Sequence, residues 1–85
     1  MAINVMIVED EPHIRLILRN VIEKNENFKV VYECDNMTDG LLGFNEHKPE
    51  VVFMDIEINN SSGIDCAKVI SQVASDTKII FATAH

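Results

Sequence analysis

Two groups of acidic residues in this chain stand where carboxylates can do chemistry. Glu9, Asp10 and Glu11 follow directly on the apolar run Ile3-Asn4-Val5-Met6-Ile7-Val8, and Asp55 follows directly on Val51-Val52-Phe53-Met54. Strand tips are where open α/β sheets bind ligands. Carboxylates gathered at one such point repel one another unless something cationic sits between them. The pattern therefore predicts a divalent cation and a reactive aspartate. Taken singly, each group has an ordinary explanation: acids at a helix start complement its dipole, and an aspartate after a strand is a common turn former. Their joint placement at the switch point of one sheet points to a site.

The elements that must position these acids follow from the hydropathy pattern. Short apolar runs alternate with helical patterns, which argues for βαβ units on a parallel sheet. Ile3 to Val8 reads as a strand buried on both faces. Pro12 suits a first helical turn, and Ile14, Ile17, Leu18, Val21 and Ile22 then form an apolar stripe opposite Arg15, Arg19 and Glu23. Asn25 and Asn27 end that helix. Phe28 to Glu33 is a second strand, and Thr38 to His47 a weaker helix containing Gly40 and Gly43, closed by Pro49. Val51 to Met54 is the third strand. Asn59 to Gly63 reads as a loop of turn formers. Ile64, Ala67, Ile70, Val73 and Ala74 mark a third helix, and Lys78 to Ala82 a fourth strand with Thr83 at its tip. Right-handed crossovers put the loops after strands on one side, so Glu9, Asp10, Asp55 and Thr83 are expected to converge.

Composition narrows the function classes. The chain has 85 residues, 47% of them hydrophobic and 25% charged, which suits one small globular domain spanning 1–85. A net charge of −7, with seven scattered Lys and Arg, argues against direct binding of a phosphate backbone. Cys34 and Cys66 lack metal-ligand spacing and make no disulfide framework. Asn4 and Glu9 interrupt the apolar start, so no signal peptide is read, and no run is long enough for a bilayer. A cytoplasmic protein without a membrane partner is expected. Met6, Met37 and Met54 read as filling of core or loop, and His13 and His47 as surface residues.

Four pieces in this order carry a resemblance: Val8-Glu9-Asp10-Glu11-Pro12, Val51-Val52-Phe53-Met54-Asp55-Ile56, Gly63, and Ile79-Ile80-Phe81-Ala82-Thr83-Ala84. The chain resembles the receiver domain of bacterial two-component response regulators, from Ile3 to the last residue. The resemblance implies a flavodoxin-like, three-layer α/β fold with a parallel sheet in strand order 2-1-3-4. It implies that Asp55 is the phosphoacceptor, taking the phosphoryl group from a sensor histidine kinase or phosphotransfer protein. Glu9, Asp10 and Asp55 would hold Mg²⁺ with the backbone carbonyl of Glu57. Thr83 would hydrogen-bond a phosphoryl oxygen, and Ala84 would leave room for the group. Such a domain is no enzyme beyond its own phosphorylation and hydrolysis. The chemistry agrees, since Mg²⁺ prefers carboxylate oxygen and phosphoryl transfer needs an in-line nucleophile and charge neutralisation.

The chain also departs from the family. Asn59 stands where the family has proline, and Ser61 and Ser62 where it has Met and Asp. The family continues with a helix, a strand and a helix, bringing a lysine and an aromatic switch residue; the chain stops at His85. Lys78 begins a strand at the far end of the sheet and Lys68 lies on a helix, so neither substitutes. A fourth strand at the sheet edge invites pairing, and a homodimer through that edge and the uncovered sheet face is expected. The alternative function is a pseudo-receiver: an interaction or dimerisation module that keeps the fold without using phosphate. A phosphohydrolase with an aspartyl nucleophile finds little support, because no general acid lies two residues beyond a strand-one aspartate and there is no cap segment.

Overall fold

A computed structural model of the chain describes residues 2–58 and 61–81. The apolar run Ile3–Val8 forms β1, and its last four residues are buried. Pro12–Glu23 forms α1, with Pro12 in the first turn and the Glu11 carboxylate capping the His13 amide. A turn in which Phe28 N–H donates to Asn25 C=O leads into β2, Phe28–Cys34. Asn36 caps α2, Met37–His47, by accepting from the Asp39 amide at 2.8 Å. Lys48 closes α2 in a left-handed conformation (φ 46°), and Pro49 follows. Then come β3, Val51–Met54; two short strands, β4, Glu57–Ile58, and β5, Ser61–Ser62; α3, Gly63–Val73; and β6, Lys78–Phe81.

The four long strands make one parallel sheet in the order β2-β1-β3-β6. This is the expected order 2-1-3-4, with the two short strands intervening in the chain. Alternation along β1 and β3 divides the core. Met6, Val8, Val52 and Met54 face α2 and α3, where Phe44, Ile58, Cys66 and Ile70 cover them. Val5 and Ile7 face α1 and meet Ile22, with Leu18, Val51 and Phe53 partly covered.

Three details correct the sequence reading. The α1 stripe is broader than the sheet it rests on: Ile22 is buried and Ile14 and Leu18 half-buried, but Ile17 and Val21 stay 56% and 59% exposed. The inward face of α3 is made by small residues and Ile70, so Cys66 is buried while Ile64 and Val73 lie outside. Within the stretch Asn59 to Gly63, read as a loop, Ser61 and Ser62 form β5 and pair antiparallel with β4, Glu57 opposite Ser62 and Ile58 opposite Ser61. Both cysteines are free and buried, and burial pushes the Cys34 thiol up to about 11. Met6 and Met54 are fully buried, and Met37 packs at the core margin. Among the described residues no helix is long and apolar enough to cross a membrane.

Candidate functional site

The tips of β1 and β3 lie side by side because Val8 pairs with Met54. The Asp55 amide then donates to the Val8 carbonyl at 3.3 Å, which carries the two strands' acids to one place. Ligand oxygens of Glu9, Asp10 and Asp55 all fall within 4.8 Å of one another. Glu9 and Asp55 are 1% and 2% exposed, unusual for acids, while Asp10 is half-buried. Glu11, third in the acidic run, takes the other role available to it and caps α1.

Glu9 is held on several sides. Its amide donates to the Cys34 carbonyl at 3.0 Å, and its Oε2 accepts from the Glu11 amide at 3.1 Å. Its Oε1 is buried with no hydrogen-bond partner among the described residues. Burial pushes the Glu9 carboxyl above its ordinary value of 4.5. The Glu11 amide opposes that rise, while a hydrogen bond with Asp10 and the charges of Asp55 and Asp10 add to it. A buried acceptor left unsatisfied beside two further carboxylates is costly, and an oxygen-seeking cation removes the cost. The donor set, carboxylate oxygens only, fits a hard ion such as Mg²⁺.

The segment after Asp55 is folded tightly against it. The Glu57 amide makes a long contact with Asp55 Oδ1, 3.5 Å, and the Glu57 side chain is exposed. The Gly63 amide donates to the Ile56 carbonyl at 2.5 Å, and a Cβ at residue 63 would collide with the Asp55 carbonyl. Only glycine permits that approach. Ser62, at a position where the resemblance would place an acid, caps α3 by accepting from the Asp65 amide at 3.4 Å.

The structure thus brings together Glu9, Asp10 and Asp55, with Glu57 adjacent. Thr83 and Ala84 lie outside the described residues, as does Asn59. Lys78 pairs with Val51, at the opposite end of the sheet from Asp55, and Lys68 is exposed on α3. That opposite end also holds a groove of about 750 Å³, lined by Ile3, Phe44, Pro49, Val51 and Val73 among others, remote from the acids. Arg15, which sequence reasoning left as a surface residue of α1, donates from Nη1 to the Glu9 carbonyl at 2.7 Å. Helical periodicity could not reveal this, because the contact depends on how the chain turns between β1 and α1.

Comparison with known proteins follows the same lines. The family model described as "Response regulator receiver domain" matches residues 5–85. The chain is similar to the chemotaxis protein CheY of Bacillus subtilis, 33% identical over 84 residues, covering 99% of this chain and 69% of that protein. It is similar to the sensory transduction protein LytT of Bacillus anthracis, 29% identical over 83 residues; the match covers 98% of this chain and about a third, 34%, of that protein. Among solved structures, the response regulator domain of Thermotoga maritima CheB superposes with a TM-score of 0.87 at 32% identity, covering 95% of this chain and 60% of the other.

Proposed function

The chain belongs to the response regulator receiver family, and on that premise we propose that it is a phosphorelay module that takes a phosphoryl group onto Asp55. The observation that carries this reading is the carboxylate cluster of buried Glu9 and Asp55 with half-buried Asp10, Glu9 Oε1 having no hydrogen-bond partner among the described residues. In the transfer, an Asp55 carboxylate oxygen attacks phosphorus and forms the new O–P bond. The N–P bond of the donor's phosphohistidine breaks, and its electron pair stays on the imidazole nitrogen. Glu9, Asp10 and Asp55, with the Glu57 carbonyl, would hold Mg²⁺, which supplies neutralisation of the gathered negative charge. Glu9 is anchored through its amide, its carbonyl and Oε2. The Gly63 contact fixes the peptide that follows the nucleophile. Thr83 is proposed to hydrogen-bond the transferred group, with Ala84 leaving it room. The donor is proposed to be a sensor histidine kinase or phosphotransfer protein.

Mass spectrometry after incubation with Mg²⁺ and acetyl phosphate tests the reading. One phosphoryl adduct is expected, absent in Asp55→Asn. No adduct in the parent chain, or one that persists in Asp55→Asn, would overturn it.

A second reading, self-association as a pseudo-receiver, is favoured by β6. Among the described residues it is the outer strand of the sheet, paired with β3 alone, and it exposes Ile80 and Phe81. Such an edge accepts another strand. Sedimentation should show a dimer that Ile80→Lys dissociates; a monomer at high concentration would remove this reading.

A further inference from the structure

We infer that Arg15 is a positioning residue for the metal site, acting through the backbone of Glu9 and held in place by Glu33. The inference rests on the receiver reading above and deepens it.

Consider what each polar atom of Glu9 does. The amide is used by Cys34, Oε2 is used by the Glu11 amide, and the carbonyl is used by Arg15 Nη1 at 2.7 Å. Oε1 alone is left, buried and without a hydrogen-bond partner among the described residues, on a carboxylate that clusters with those of Asp10 and Asp55. The backbone is held at its amide and its carbonyl, and the Glu11 amide on Oε2 sets the orientation of the carboxylate that this backbone carries. The Glu9 carbonyl lies at the point where β1 ends and the chain turns into α1. Among the described residues no backbone donor reaches it there, and the Arg15 side chain supplies one.

Arg15 is suited to that task because it is itself fixed. Its Nε faces Glu33 Oε1 at 3.5 Å, while its side chain is only 22% exposed. Glu33 Oε2 is held in turn by Arg19 Nη1 at 3.2 Å, and Arg19 Nε meets Glu23 at 3.3 Å. Glu23 Oε2 accepts from the Val30 amide at 3.3 Å, which ties the chain of contacts back to β2. A planar guanidinium uses two faces of its fork here, one for the carbonyl and one for the carboxylate. The guanidinium touches the Glu9 carbonyl and the Glu33 carboxylate, so its part is geometric. Groups that orient metal ligands from outside typically change affinity by about 10–100-fold when removed.

The test is isothermal titration of the full chain with MgCl2, read beside thermal melting in EDTA. Arg15→Gln should weaken Mg²⁺ by about tenfold. Glu33→Gln should weaken it by a smaller factor, and Arg15→Lys should recover part of the loss because one donor can still reach the carbonyl. Arg19→Gln, which leaves the Glu9 carbonyl contact in place, should change it least. A lowered melting temperature with an unchanged Mg²⁺ affinity in Arg15→Gln would overturn the inference and leave Arg15 a structural residue, with the receiver reading intact. A parent chain that binds no Mg²⁺ at millimolar concentration would overturn both. If Arg15→Gln does not fold, Arg15→Lys and Glu33→Gln carry the same comparison, and equal affinities in all three proteins would refute it.

Discussion

The sheet has a thickly covered face and a thinly covered one. Under α2 and α3, Met6, Val8, Val52 and Met54 are sealed by Phe44, Ile58, Cys66 and Ile70. Under α1, the buried cluster among the described residues is Val5, Ile7 and Ile22, and Val51 and Phe53 are only partly covered. The thin face has instead the ion pairs from Arg15 and Arg19 to Glu33 and Glu23. Burial of apolar area is the main stabilising term in a small domain, and exposed ion pairs contribute little. The difference teaches that stability and site geometry draw on different sides of one sheet: the thick face holds the fold, and the thin face orients Glu9.

The comparison can be broken by substitution. Ile70→Ala, on the thick face, should cost about 3 kcal/mol, against about 1 kcal/mol for half-buried Leu18→Ala on the thin face. Equal costs in urea unfolding would show the faces to be equivalent.

The site at the rim of the two faces gives a sharper test through pH. The folded-state value of Glu9 is raised, so folding takes up a proton there. That group's contribution is harmless below its unfolded value near 4.5 and becomes destabilising as pH rises through the folded value. Glu9→Gln in EDTA should therefore be more stable than the parent by about 1 kcal/mol near neutrality, with the advantage shrinking as pH falls toward the ordinary carboxylate range. An advantage that is independent of pH would mean the charge on Glu9 is not its source.

The smallest expected effect belongs to the thin face's exposed charges. Arg19→Ala should cost less than about 1 kcal/mol, and less still in high salt. A loss as large as that of Ile70→Ala would mean that the ion pairs, and not the apolar core, hold α1 in place.

Much of this arrangement was legible before any coordinates. Apolar runs ending in acids identified β1 and β3, and helical spacing placed α1 and α3, because burial on a sheet imposes those periods directly. Convergence of Glu9, Asp10 and Asp55 followed from parallel topology alone. What escaped was what depends on surfaces meeting. The width of the α1 stripe says nothing of how much sheet lies under it, so the periodicity does not show that Ile17 and Val21 stay exposed. On α3 the apolar periodicity runs through Ile64, Ala67, Ile70, Val73 and Ala74, whereas the sheet buries Ile70 together with the smaller Gly63 and Cys66. Ser61 and Ser62 are turn formers, yet they pair with Glu57 and Ile58 in the β4–β5 ladder, beside the Gly63 amide bound to Ile56. Arg15 reached Glu9 across a turn whose path no local pattern records.

That same glycine has a mechanical consequence. The first residue of α3 rests directly on the peptide units of Asp55 and Ile56, with no side chain to act as a cushion. An eleven-residue helix is about 16 Å long, so it acts as a beam resting at one end on Asp55. A tilt of about 5° at that end carries its far end by about 1.4 Å. That far end is Val73, which is 74% exposed and lines the groove at the opposite pole of the sheet. A shift too small to notice around Asp55 would thus be legible as a displacement on the other side of the molecule.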